Sequence, residues 1–278
     1  MKKMLFLFLP FLFTAQTHRF IYEYQFKTDS TAQDFQSAKM VLDITKTEVK
    51  FFPYMQIEND SKSKNRGYIS TSWNFALPTL SRKLNSFDND SYYYMSSYFK
   101  MESKDEMIWK LENETKKVGK FNLQKAITNF GGRKWTAWFD PEIPFSEGPF
   151  KFRGLPGLIF EIEDDNQFFK FSLIKSERVK ENYKVPQFTE SITLNNLYPI
   201  SIELYNKKKM ENYEDPLRQM REGFMASQNN PNIKNSYEIS GVKITSVEQF
   251  RPMKADFQKR YRKHNNDIER KFILKYPE

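Results

Sequence analysis

Arg133, Lys134, Lys151 and Arg153 bracket a short stretch that also holds Glu142 and Glu147. Two chemistries follow from these residue types. A guanidinium is a planar fork that matches a carboxylate or phosphate. Arg133 and Arg153, with Lys151, are therefore candidates for an anion site. The same fork serves equally as an internal clamp on a protein carboxylate, with Glu142, Glu147, Glu161, Glu163 and Asp164 all near in sequence. Glu142 and Glu147 flank Pro144. Two carboxylates perform acid–base hydrolysis when their environments split their pKa values; otherwise they are solvated loop groups. Trp135 and Trp138 point to opposite faces of one strand. One belongs in the core. The other is a candidate surface for stacking a sugar or peptide, or packs on Pro141 or Pro144.

The rest of the inventory excludes more than it offers. There is no cysteine, and the two histidines, His18 and His264, lie far from this stretch. Thiolate chemistry, a histidine-dependent triad and a multi-histidine metal site are not expected. Glu163-Asp164-Asp165-Asn166 offers hard oxygens but lacks the spacing of a calcium loop, and reads as a hairpin turn. No Gly-x-Ser-x-Gly, phosphate-binding glycine loop or His-Glu-x-x-His is present. No metal or cofactor is expected.

The elements that must position these residues are mostly strands. Phe20, Tyr22, Tyr24 and Phe26 alternate with residues of the opposite face, and Met40, Leu42 and Ile44 repeat the pattern. Further strands are expected at 48–52, 92–101, 106–111, 120–128, 134–139, 158–163 and 168–174. Residues 56–67 read as a polar loop. Asp215 and Pro216 predict a helix start, with Leu217, Met220, Phe224 and Met225 on one face. A strand pair is expected around Gly241. Met253, Phe257, Tyr261, Ile268 and Phe272 predict a last helix with one apolar stripe. The fold class is mainly β: a large curved antiparallel sheet with C-terminal α-helices, with a lipoprotein-carrier-like half-barrel as the specific expectation.

Composition supports this. With 27 Phe and 15 Tyr, the chain suits pleated, half-buried surfaces. Lys2 and Lys3 precede a short apolar run, Met4–Phe13, too short to span a bilayer. Residues 1–15 read as a signal peptide cleaved near Ala15, and 16–278 as one domain. The protein is expected to be exported, to the periplasm or beyond, and not to be transmembrane. The net charge is +9, and residues 251–278 carry nine Lys or Arg against four Asp or Glu. Export argues against nucleic acid as the partner, and the basic tail reads as a solvated helix face.

The longest signal is Gly131-Gly132-Arg133-Lys134-Trp135-Thr136-Ala137-Trp138-Phe139-Asp140, leading into Gly148-Pro149-Phe150-Lys151-Phe152 and Gly154-Leu155-Pro156-Gly157-Leu158-Ile159. These residues resemble the GLPGLI family of exported Bacteroidota proteins, most clearly over roughly residues 105–175. The resemblance implies an envelope role and no known biochemical activity, since such genes often neighbour those of TonB-dependent outer-membrane receptors. Many members carry a cysteine where Leu123 stands here. The glycines and prolines of the motif set a backbone path and do no chemistry themselves. The functional expectation is a non-enzymatic binding or accessory protein. Its partner would be an outer-membrane receptor or other envelope protein, or a small-molecule or lipid ligand. The alternatives are a carboxylate-based hydrolase using Glu142 and Glu147, and a purely structural envelope protein.

Overall fold

The computed structural model describes residues 16–58, 77–95, 97–180, 197–228 and 237–278. The expected signal peptide and most of the expected 56–67 loop lie outside the described residues.

The strand-forming alternation builds two meanders. The first is β1 (Gln16–Phe26), β2 (Gln36–Ile44), β3 (Glu48–Pro53), β4 (Thr79–Lys83), β5 (Asp88–Tyr94) and β6 (Tyr98–Lys104). The second is β7 (Lys110–Val118), β8 (Phe121–Phe130), β9 (Arg133–Asp140), β10 (Leu158–Asp164) and β11 (Phe169–Lys180). Antiparallel pairing of β1 with β11 joins them. The two-residue β12 (Tyr198–Pro199) adds parallel to β6. Among the described residues this gives one twelve-stranded sheet, ordered β12-β6-β5-β4-β3-β2-β1-β11-β10-β9-β8-β7. The chain then forms α1 (Ile202–Glu214), α2 (Arg218–Gln228), a hairpin of β13 (Tyr237–Ile239) and β14 (Val242–Ile244), and α3 (Phe250–Lys263). The fold is mainly β, as expected. No helix among the described residues is long and apolar enough to cross a membrane.

The sheet is strongly curled. β6 and β7 are ten ladder steps apart in the strand order, which would be about 48 Å in a flat sheet. Yet only residues 105–109 connect them, and such a link spans at most about 22 Å. The interior faces therefore converge. Phe51 of β3 and Phe171 of β11 have ring centroids 6.2 Å apart. Ladder hydrogen bonds do not join β7 to β6 or β12, so the sheet remains open.

Into this interior runs the β9–β10 connection, residues 141–157. Phe152 packs within 4.6 Å of Trp135 and 5.3 Å of Phe130, ring to ring, and Phe150 lies 6.3 Å from Phe51. The motif segment is thus the filling of the half-barrel, with Phe150, Phe152 and Leu155 buried in the main core.

Four expectations need correction. The run 92–101 is not one strand; β5 ends at Tyr94 and β6 begins at Tyr98. Residues 106–109 are the connection, and β7 starts at Lys110. The C-terminal stripe is not one helix: α3 ends at Lys263, and Ile268 and Phe272 lie on a separate strap that turns back to the sheet. There Asn266 N–H donates to Thr28 O (3.0 Å), and Arg270 N–H to Gly131 O (2.8 Å). Asp215 also does not cap α2 through its side chain. Its carboxylate grips Arg221, at 3.0 and 2.6 Å.

Candidate functional site

The motif segment is held by its backbone and by buried charge. Gly154 N–H donates to Ser146 O, Ile159 N–H to Glu147 O (both 3.0 Å), and Phe152 N–H to Pro149 O (3.1 Å). Gly157 passes so close to β9 that a Cβ there would sit 2.1 Å from Asp140 O. At Gly148 a Cβ would meet Ile159 at 2.7 Å. Phe150 adopts a left-handed backbone, φ 54°, which costs a bulky residue on the order of 1 kcal/mol or more. Its buried ring and its carbonyl, which accepts from Arg82 Nη1 at 2.9 Å, hold it there. Tyr22 Oη donates to Ile159 O at 2.6 Å and anchors the exit. Burial pushes the Tyr22 hydroxyl far above its usual pKa, with the nearby Glu147 charge adding to the effect.

Every cation of the segment meets an anion. Glu147, 1% exposed, takes Arg82 Nε (3.1 Å) on one oxygen and Arg153 Nε (3.2 Å) on the other. Arg153 also lies 4.3 Å from the Phe87 ring. Lys151, 2% exposed, sits 3.2 Å from Asp105 and 2.8 Å from Glu269. Arg82, Arg153 and Lys151 thus balance Glu147, Asp105 and Glu269. Arg133 pairs with Asp164 (3.1 Å), donates to Asp267 O (2.8 Å) and bonds Asn266 Oδ1. Burial pulls the pKa of Arg82 and Arg133 below the usual arginine value, opposed by Glu147 and Asp164 respectively. These groups form a staple linking β4, the motif segment, the β10–β11 turn and the C-terminal strap. Among the described residues Arg82, Arg133, Lys151 and Arg153 each form an ion pair with a buried carboxylate, which takes them out of play for a ligand anion.

The six candidate binding residues are therefore not brought into one site. Arg133, Lys151 and Arg153 are buried in the staple. Trp135 is fully buried and donates from Nε1 to Phe130 O at 3.0 Å. Trp138 lies on the outer face under Lys116 (4.5 Å) and Lys125 (5.8 Å). Glu142 is solvent-exposed while Glu147 is buried on two arginines. A two-carboxylate hydrolase needs both groups facing one wet cleft, and this pair lacks that arrangement. The remaining motif residues, Gly148, Pro149, Gly154, Leu155, Pro156, Gly157, Leu158 and Ile159, shape the path already described.

A different feature has the form of a binding site. A half-open cleft of about 790 Å³ lies between the sheet and the helical layer, within the usual size range for a ligand pocket. Tyr24, Tyr93, Phe150 and Phe169 contribute to its sheet side. Tyr205 of α1, Phe257 and Tyr261 of α3, and Phe272 and Tyr276 of the strap line the helical side. Tyr205 stacks tilted on Tyr93, centroids 4.6 Å apart, and burial raises the pKa of both hydroxyls. None of the six candidates lines this cleft. Its one trace in the sequence was the Tyr92-Tyr93-Tyr94 run, which read only as strand.

A family model described as "Protein of unknown function (Porph_ging)" matches residues 131–161. That match runs from the β8–β9 turn through the motif segment into β10. Comparison with curated proteins yields no match. Among solved structures the chain is similar to PNGF-II in two crystal forms, C2 and P21, each at 14% identity with a TM-score of 0.50. The similarity covers 70% of this chain and 32% and 33% of the other two, so the chain spans about a third of that protein's length. At this identity the likeness concerns the fold. The chain is thus similar to the Porph_ging family across its motif segment, and to PNGF-II in architecture.

Proposed function

We propose that this chain is an exported, non-enzymatic binding or accessory protein of the cell envelope. It holds a small ligand in the cleft between sheet and helices, in support of outer-membrane transport. The cleft carries this reading: it is concave and ringed by aromatic side chains, and it borders the staple along the strap residues Asn266, Asp267 and Glu269. The GLPGLI-like motif supports an envelope setting. An outer-membrane receptor or another envelope protein is the partner expected from the resemblance.

A second reading, a purely structural envelope protein, draws on the buried staple. Native mass spectrometry of the protein taken gently from its own host's envelope separates the two. A mature chain starting near Gln16 with a small molecule bound is the expected result. A retained protein without small molecule would favour an accessory subunit. A bare chain would favour the structural reading.

A further inference from the structure

We infer that the ligand of the cleft is an amphipathic anion: a flat, apolar, ring-bearing body with one acidic head group. The inference rests on the cleft being a binding site and adds the chemistry of its occupant. The body follows from the walls. Twelve of the lining side chains are Phe or Tyr, while Leu77 and Ile268 alone among them bring branched aliphatic carbon. Flat rings are matched by flat rings, stacked or edge-on. A cleft for a long acyl chain would instead be walled by aliphatic carbon.

The head group follows from a charge imbalance. The acidic residues of the cleft are all matched. Asp215 is gripped by Arg221 at 2.6 Å, and that bond holds its carboxyl below the usual range. Asp267 faces Lys209 and His264, each at 3.5 Å, and Glu269 faces Lys151 and Lys271, each at 2.8 Å. Two lining cations form no ion pair among the described residues, although Arg218 lies near enough to Asp215 to help lower its pKa. Arg218 opens α2 and is exposed. The side chain of Arg260 on α3 reaches, among the described residues, Ser240 Oγ at 3.4 Å and the Phe257 ring at 4.9 Å. An aromatic cavity with two guanidiniums outside any ion pair complements a carboxylate, sulfonate or phosphate carried on rings.

The test uses three fluorescent probes on the whole mature protein. 8-Anilinonaphthalene-1-sulfonate is flat and anionic, N-phenyl-1-naphthylamine has the same rings without the charge, and cis-parinaric acid is an anionic acyl chain. They are titrated against the native protein, Arg218→Gln/Arg260→Gln, and Met220→Trp, which fills the cleft. Thermal melts confirm that each variant is folded. The sulfonate is expected to bind at one site, to be lost in Met220→Trp, and to weaken at least about five-fold in the double variant, with the neutral probe unchanged. If sulfonate and neutral probe bind alike and the arginines do not matter, the acidic head is overturned while the cleft stands. If the acyl probe binds more tightly than the sulfonate, the flat body is overturned. If no probe binds, or if Met220→Trp changes nothing, the binding cleft itself fails.

Discussion

A methyl group added at Gly157 would lie 2.1 Å from the Asp140 carbonyl oxygen, against backbone that cannot yield. Gly157→Ala should therefore cost at least about 3 kcal/mol, read as a shift in the urea midpoint. Gly119 serves as control: a Cβ there meets nothing within 4 Å, although its φ of 57° adds some strain. Glu147 carries a comparable load by a different mechanism. Removing its charge strands two buried arginines, so Glu147→Gln should cost roughly 3–5 kcal/mol. Arg82→Met combined with Glu147→Leu should cost less than the sum of the two single changes. An additive double-mutant cycle would contradict the staple. His18 gives a pH signature. Its ring packs 4.7 Å from Phe145, and burial, then Arg178, lowers its pKa from 6.5. The fold favours the neutral ring. That contribution is complete above pH 6.5 and is lost as pH falls through the depressed value. With two histidines in the chain, His18→Gln assigns the NMR resonance, and its midpoint should lie below 6.5. The glycines of the motif were legible in the sequence as backbone devices. The roles of Arg133, Lys151 and Arg153 were not, because a guanidinium that clamps and one that binds look alike until its partner is located.

At the scale of elements, the C-terminal strap does more than its sequence suggests. It supplies Glu269 to Lys151, Asn266 to Arg133 and backbone bonds to Gly131 and Thr28. Truncation after His264 would leave Lys151 with Asp105 as its remaining carboxylate and would uncover Phe272's neighbours. The shortened chain should lose at least about 4 kcal/mol, and near-ultraviolet circular dichroism should show loosened aromatic packing. A truncated chain with native stability would show the strap to be ornamental. Ile268 and Phe272 were placed on α3 because they prolong its apolar spacing; the break after Lys263 carries no proline or glycine to announce it. The turn between β5 and β6 hides for the same reason, within a run of tyrosines and serines. α1 went unseen because its lysines and glutamates leave only Tyr213 buried, so almost no apolar period marks it. β1, β2, β3, β10 and the β13–β14 pair were legible because strict alternation or a turn glycine marks each.

For the whole molecule, the two levels of legibility diverge. Alternation revealed a mainly β chain, and the late helices were visible in outline. The curl follows from topology: a five-residue link between strands at opposite sides of the sheet is a constraint that no local pattern contains. The cleft is further from view, since β1, β4, β5, the motif segment, β11, α1, α2, α3 and the strap each contribute only a few side chains to it. The central claim is that the motif segment holds the fold while the cleft meets the ligand. Native mass spectrometry of two variants taken from the host envelope, Met220→Trp in the cleft and Glu142→Trp on the exposed part of the motif segment, tests it most directly. The account predicts that the bound small molecule is absent from Met220→Trp and retained by Glu142→Trp, with both chains folded. Retention in Met220→Trp with loss in Glu142→Trp would contradict it, and would return the function to the motif.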